Sequence, residues 1–237
     1  MLILPAIDLY EGKAVRLLRG DYTQMTVYSD DPLSVARDFE EAGAEYVHMV
    51  DLAGAKDGGT PNFSVVAKIA RETSLRAEIG GGVRSEETIR RYLDAGAARV
   101  ILGTAALENP DFLENMARNY PGKVAAGVDV RDGFVAVRGW TETSAVTCFD
   151  FCGRMERLGI RTLICTDISK DGAMSGTNRA LYRELGERFN LDIIASGGVS
   201  SLDDIRALRD MGLHGAIVGK AYYIGAIDLK EAIREAK

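Results

Sequence analysis

Short runs of apolar and β-branched residues recur along the whole chain, each bounded by polar or glycine-containing segments. Runs of this kind are typical of buried strands. They predict eight strands: Leu2–Ile7, Tyr46–Val50, Arg76–Ile79, Arg99–Leu102, Val124–Val128, Thr162–Cys165, Asp192–Ala195 and Ala216–Val218.

The segments between these runs have apolar residues at helical spacing. One helix is predicted to begin at Asp31-Pro32, and others after Ser85 and Ser201, each a serine followed by acidic residues that suit an N-terminus. Alternating strands and helices imply parallel pairing. We therefore predict an α/β fold, a (β/α)8 TIM barrel, with a doubly wound open sheet as the alternative.

The two halves of the chain repeat one another. The corresponding residues are Gly82 and Gly198, Gly103 and Gly219, and Asp51 and Asp167, each pair 116 positions apart, and Asp8 and Asp129, 121 apart. No linker or low-complexity segment divides the chain. The repeat predicts one barrel domain over residues 1–237, made of two half-barrels at approximately 1–120 and 121–237.

Composition narrows the class of protein. The chain is 46% hydrophobic and 27% charged, with a net charge of −6, values typical of an ordinary globular protein and unfavourable for nucleic acid or anionic membrane. The apolar start, Met1–Pro5, is too short for a secretory signal, and no run approaches the ~20 residues of a membrane span.

The cysteine and histidine content argues against a metal site. Three cysteines without a secretory pattern predict reduced thiols and a cytoplasmic protein. Only two histidines, His48 and His214, accompany them, so no zinc pattern is present. His48 lies in an apolar run, which favours a hydrogen-bonded core histidine over a general base. Since one barrel closes its own core, we expect a monomer.

Glycine corners follow the third predicted strand of each half, and a Gly-Thr-Ala or Gly-Lys-Ala step follows the fourth. Consecutive backbone N–H groups at such corners can bind an anion, and the adjoining helix N-terminus adds positive charge. The alternative is that these glycines only permit tight turns and close packing. Because both halves carry both elements, we expect two phosphate sites on opposite sides of one barrel mouth.

Acidic residues stand at the predicted ends of the first and fifth strands, Asp8 and Asp129. In barrels, catalytic groups project from these strand ends, and two opposed carboxylates can divide acid and base work. Asp51 and Asp167 end the second and sixth strands, and for at least one of them two roles stay open, bracing a loop or a neighbouring side chain and contacting the substrate. A loop over residues 169–178 contains Asp171, a turn residue or a second acid candidate.

Basic and aromatic residues lie in the long segments after the first and fifth strands. Arg16 and Arg138 can pair with carboxylate or phosphate, and Trp140 offers a stacking face for a planar ring. No dinucleotide-binding fingerprint is present, so no nicotinamide cofactor is expected.

Eight motifs together resemble the isomerases of histidine biosynthesis, the phosphoribosylformimino-aminoimidazole-carboxamide ribotide isomerases. They span the chain in the family's order: LPAIDLYEGKAVRL, HMVDLAGA, IGGGVRS, ILGTAALENP, GVDVRDG, TDISKDGAMSGTN, ASGGVSSLDDI and GAIVGKAYY. The resemblance implies a duplicated half-barrel and an Amadori rearrangement of an aminoaldose to an aminoketose. It also implies a small-molecule substrate with a phosphoribosyl group at each end, and neither a metal nor a cofactor.

The resemblance further implies residue roles. Asp8 resembles the general base at ribose C2, Asp129 the general acid at the ring oxygen, and Thr166 an assisting residue, while Asp171 takes the acid role in some members. The implied phosphate-binding residues are Gly81, Gly82, Gly103 and Thr104 at one site, and Ser196, Gly197, Gly198, Gly219 and Lys220 at the other. Arg16, Arg138, Trp140 and Gly172 complete the expected substrate contacts.

Three alternatives stay open on the sequence. The sister cyclase usually has a cysteine before its first catalytic aspartate and a lysine shortly after it, whereas this chain has Ala6-Ile7 and Arg16. A dual-substrate isomerase would also act on phosphoribosyl anthranilate, and Arg138 with Trp140 resembles its loop residues. A non-catalytic phosphosugar-binding barrel would not need Asp8 and Asp129.

Overall fold

Eight parallel strands form a closed barrel in the computed structural model, which describes residues 1–237. The strands in chain order are β1 Leu2–Tyr10, β2 Lys13–Leu18, β3 Asp21–Ser29, β4 Tyr46–Asp51, β5 Arg76–Gly80, β6 Arg99–Leu102, β7 Val124–Arg131, β8 Phe134–Val137, β9 Glu142–Thr147, β10 Thr162–Asp167, β11 Asp192–Ser196 and β12 Gly215–Val218. The barrel order is β1-β4-β5-β6-β7-β10-β11-β12, and β12 returns to β1. This closure confirms the TIM barrel and is incompatible with the open sheet.

All eight predicted strands lie within the barrel strands, but β1 and β7 are longer than predicted. Each continues into an antiparallel hairpin, where Asp8 pairs with Val15 and Asp129 with Ala136. The long segments after the first and fifth predicted strands therefore form hairpins, which the apolar runs did not predict. Turns of two residues with positive φ join the paired strands, a backbone twist that suits tight hairpins.

Eleven helices surround the barrel: α1 Pro32–Glu41, α2 Leu52–Asp57, α3 Phe63–Glu72, α4 Glu86–Asp94, α5 Thr104–Glu108, α6 Pro110–Asn119, α7 Cys148–Arg157, α8 Arg179–Arg188, α9 Leu202–Asp210, α10 Lys220–Tyr223 and α11 Leu229–Glu235. The predicted helix starts are confirmed. The side chains of Asp31, Ser85 and Ser201 accept backbone N–H bonds at the N-termini of α1, α4 and α9. No helix is long and apolar enough to cross a membrane.

Apolar residues pack in two separate layers. A large cluster of 52 buried residues fills the space between the barrel and its helices. A second cluster of eight fills the barrel interior: Leu4, Ala6, Tyr46, Ile101, Ala125, Ile164, Ile194 and Ile217. Because the interior is packed, a ligand can enter only at the end where the carboxyl termini of the strands meet.

Candidate active site

A cavity of about 210 Å³ opens at the carboxyl ends of the barrel strands. The residues expected to act on the substrate line it together: Asp8, Thr166, Asp129 and Asp171. They come from β1, β7, β10 and the loop after β10, so only the closed barrel brings them to one place.

The Asp8 carboxylate is held by an ion pair. Arg16, on β2, places its guanidinium 2.9 Å from Asp8 Oδ2, and the two side chains are only 11% and 15% exposed. Burial lowers the pKa of Arg16, but the carboxylates of Asp8 and Asp171 outweigh burial and leave that pKa raised. The ion pair thus holds the Asp8 carboxylate, a group that can accept a proton, at the edge of the cavity.

Asp129 lies in a different environment, beside Thr166 on the neighbouring strand β10. Burial raises the pKa of Asp129, while interactions with Trp140, Thr166 and the His48 ring oppose the rise without cancelling it. A carboxyl group with a raised pKa keeps its proton to higher pH. Asp129 is therefore suited to donate a proton.

Asp171 shares this property. Burial raises its pKa to about 6; the Arg16 charge opposes the rise and the carboxylates of Asp8 and Asp129 add to it. The cavity thus contains one ion-paired carboxylate and two carboxyl groups with raised pKa values, an arrangement that can separate a base from an acid.

The first glycine corner lies where β5 meets the cavity. Gly81 and Gly82 have φ of +94° and +76°, and a Cβ on Gly81 would lie 2.2 Å from the Asp51 carbonyl oxygen. Glycine is therefore required here for backbone conformation and packing. The corner also lines the cavity, together with Gly103, Thr104 and Arg84.

The second glycine corner forms a smaller recess beside the cavity. Its lining includes the expected binding residues Arg16, Gly172, Ser196, Gly197, Gly198, Gly219 and Lys220. Lys220 Nζ donates to the Gly172 carbonyl oxygen at 2.9 Å, which ties this recess to the loop after β10. Gly219 lies so close to the Arg16 guanidinium that a Cβ would fall 1.8 Å from its Nη2.

Asp51 and Asp167 face loops and act as braces, which confirms the more cautious interpretation of this pair. Asp51 accepts from the backbone N–H of Gly54 at 2.9 Å and from Asn62 Nδ2 at 2.8 Å. Asp167 accepts from Asn178 Nδ2 at 2.7 Å. Neither is among the residues that line the cavity.

The hairpin after β7 places its two predicted substrate contacts, Trp140 and Arg138, in different surroundings. Trp140 lines the cavity and packs against Gly20 of the other hairpin. The Arg138 side chain is exposed, lies 3.0 Å from Glu142 and 3.3 Å from Glu108, and does not line the cavity. Its backbone N–H donates to Thr104 Oγ1 at 2.8 Å, so Arg138 contacts the first phosphate-site candidate through its main chain.

Of the polar side chains that line the cavity, sequence reasoning missed three: Tyr22, His48 and Arg84. His48 is buried and hydrogen-bonded to Glu78, as expected of a core histidine, but it also lines the cavity. Arg84 lies two residues after the last glycine of the first corner, and that proximity in the chain was the available signal. No group of three or more His, Cys, Asp or Glu side chains could hold a metal ion.

Known proteins match this chain over nearly its whole length. The model of the family described as histidine biosynthesis protein matches residues 2–228. A protein of Brachyspira hyodysenteriae is 52% identical over 237 residues, covering both chains completely. Proteins of Lactococcus lactis subsp. cremoris and Ruminiclostridium cellulolyticum are 48% and 46% identical, covering 100% and 98% of this chain and 97% and 99% of their own. The chain belongs to the histidine biosynthesis protein family.

All three relatives are named 1-(5-phosphoribosyl)-5-((5-phosphoribosylamino)methylideneamino) imidazole-4-carboxamide isomerase. Membership of the histidine biosynthesis protein family confirms the resemblance drawn from the eight motifs. The matched region extends over nearly the full length of the chain and so spans the strands, both glycine corners and the acidic strand ends of the cavity.

Proposed function

We propose that this chain catalyses the isomerase reaction named for its relatives, an Amadori rearrangement of an aminoaldose to an aminoketose in histidine biosynthesis. The observation that carries the proposal is the cavity itself. It places an ion-paired carboxylate, Asp8, with the raised-pKa carboxyls of Asp129 and Asp171, and two glycine corners adjoin it.

The reaction needs a proton delivered and a proton removed. A protonated carboxyl, Asp129 or Asp171, gives its proton to the ribose ring oxygen, and the bond from that oxygen to C1 breaks to leave a protonated imine. The imine acidifies C2, so Asp8 can take the C2 proton and an enaminol forms. Proton return to C1 and loss of the enaminol hydroxyl proton give the ketone at C2.

Two anchors would hold the substrate across the mouth. β5 and β6 lie opposite β11 and β12 in the barrel order, so the corner with Arg84 faces the corner with Lys220. Each corner offers backbone N–H groups, the start of a short helix and one cation. A substrate with a phosphate at each end fits this arrangement.

A spectrophotometric isomerase assay on purified protein tests the proposal. We expect turnover of the bis-phosphoribosyl aminoaldose, and the same assay with phosphoribosyl anthranilate distinguishes a single-substrate from a dual-substrate enzyme. Absence of turnover with both substrates in a folded sample would leave a phosphosugar-binding barrel and refute the acid and base roles.

We also propose that the protein is a cytoplasmic monomer, which binds this small molecule as its only partner and binds no nucleic acid. The three cysteines are free and buried, in keeping with a reducing compartment, and the net charge of −6 disfavours polyanions. Size-exclusion chromatography with light scattering tests the monomer, since a dimer would double the mass of 25.6 kDa.

A further inference from the structure

A chain of buried polar groups crosses the barrel interior below the cavity. His48 Nδ1 lies 2.6 Å from Glu78 Oε1, and Arg99 Nε donates to Glu78 Oε2 at 2.9 Å. Arg99 Nη1 also donates to Thr162 Oγ1 at 3.2 Å, at the end of the barrel opposite the cavity. All four side chains are buried, and Glu78 is 0% exposed.

The fold does not require this chain of groups. The same 116-residue shift that relates the two halves takes His48, Glu78 and Arg99 to Ile164, Ile194 and Gly215. The second half builds the corresponding strands around apolar residues, and Ile164 and Ile194 belong to the interior cluster. Replacing a buried ion pair with apolar residues is often neutral or stabilising. A role in stability alone therefore does not explain why one half keeps a buried ion pair.

The chemistry of the pair fixes the histidine ring. Burial raises the pKa of Glu78, but His48 and Arg99 outweigh burial and leave the pKa lowered, so the carboxylate is ionised. An ionised carboxylate can only accept hydrogen bonds. Nδ1 of His48 must therefore carry a proton and donate a hydrogen bond to Glu78. Nε2, which has no hydrogen-bond partner in the protein, is left for a molecule in the cavity that His48 lines.

We infer that Glu78 and Arg99 are positioning residues of the active site, which act through His48. They hold the ring in one orientation with Nδ1 protonated, and so present Nε2 to the reacting sugar among Asp8, Asp129 and Asp171. Arg99 sets the orientation of the Glu78 carboxylate, Glu78 sets the orientation of the His48 ring, and His48 contacts the substrate. This inference rests on the proposed isomerase function.

The variant Glu78→Gln tests this arrangement with little change in shape. Because Arg99 donates to one side of the group, the amide oxygen faces Arg99 and the amide NH2 faces Nδ1. The ring can then no longer donate from Nδ1. We expect kcat to fall about 10- to 100-fold, the range typical for loss of a hydrogen-bond partner that orients a metal-binding histidine, with little change in KM.

A spectroscopic signature distinguishes positioning from a structural role. The chain contains only two histidines, so 15N-labelled His48 and His214 give a simple ring-nitrogen spectrum. We expect a protonated Nδ1 of His48, bonded to carboxylate, in the unmodified protein and its loss in Glu78→Gln. Glu235→Gln is the matched control, since it removes a carboxylate from an ion pair with Arg206 on the helical exterior and should change neither kcat nor the spectrum.

Each outcome decides the inference. Loss of the Nδ1 signal with kcat within about twofold of the unmodified enzyme would overturn it. If Glu78→Gln does not fold, the unmodified protein still decides, because binding of the aminoketose product should shift Nε2 of His48 and leave Nδ1 protonated. An unshifted Nε2 would overturn the inference. Failure of the proposed function is distinguishable, since the unmodified protein would then turn over neither substrate.

Discussion

At the level of single residues, the cavity differentiates three carboxyl groups by their surroundings. Asp8 has a guanidinium at 2.9 Å, whereas Asp129 and Asp171 are buried with less compensation and have raised pKa values. The same residue type can therefore serve as base in one place and as acid in another. Position along the chain alone indicated the three aspartates, whereas the division of roles was implied only by the family resemblance.

Replacement of the base should remove chemistry and keep binding. Asp8→Asn preserves the size of the side chain but cannot accept the C2 proton, so we expect kcat to fall by about 10²- to 10⁴-fold. Product affinity, measured by calorimetry, should stay within a few-fold of the unmodified protein. Arg16→Ala is the comparison and should mainly raise KM. Substantial turnover by Asp8→Asn would place the base elsewhere.

Asp171 should lower stability near neutral pH. Its pKa in the folded protein, about 6, lies above the ordinary value of 3.8, so the folded state binds the proton more tightly than the unfolded state. Below pH 3.8, Asp171 does not lower the free energy of unfolding. The reduction grows as the pH rises to about 6 and is constant above that value.

The neutral isostere removes this cost. We expect Asp171→Asn to raise the melting temperature at pH 7.5 and to leave it nearly unchanged at pH 4, as measured by calorimetry at both values. An equal melting-temperature change at the two pH values would show that charge burial is not responsible.

At the level of elements, three loop segments meet above the cavity. Gly20, after β2, lies against the Trp140 ring, and Gly172, after β10, lies close to the Leu17 carbonyl oxygen and Leu18. Both hairpins and the loop after β10 therefore contribute to one roof. Because these segments contact one another at Gly20 and Gly172, adding even a small side chain at either glycine should shift the segments.

The barrel strands were predictable from sequence and the hairpins were not, for a physical reason. Barrel strands such as β10 are buried on both faces, so they read as unbroken apolar runs. β3 is partly exposed along its whole length and carries mostly polar residues, so no period of two marks it. His48 was similarly obscured, because a histidine in an apolar run gives no indication that Glu78 and Arg99 hold it beneath a cavity.

Adding one methyl group should test the roof. A Cβ on Gly20 would lie 2.4 Å from Trp140 Cε3, so we expect Gly20→Ala to displace the ring and raise KM. Trp140 is the only tryptophan, so its intrinsic fluorescence reports the displacement directly. Gly12→Ala is a matched control, because Gly12 has the same φ of +78° but no atom within 4 Å of a Cβ. Equal effects of the two variants would indicate backbone strain instead.

At the level of the whole molecule, the two halves supply one cation each, from different places. Arg84 belongs to the first corner, where the equivalent residue of the second half is Ser200. Lys220 belongs to the second corner, where the equivalent residue of the first half is Thr104. The duplicated fold thus keeps a cation beside each glycine corner although the residues diverged, and Arg16 adds a second cation at the corner with Lys220.

Exchanging each cation for its counterpart in the other half should weaken binding independently at the two sites. A charge-assisted hydrogen bond to an anion contributes about 1.5–3 kcal/mol, so Arg84→Ser and Lys220→Thr should each raise the Kd of the aminoketose product by at least about 10-fold. Because the two corners lie on opposite sides of the barrel mouth, the effects should multiply to about 100-fold or more in the double variant. Lys123→Thr, which removes an exposed cation at the opposite end of β7, is the control, and calorimetric titration gives the affinities. A double variant no weaker than either single one would show that the cations serve one site, not two.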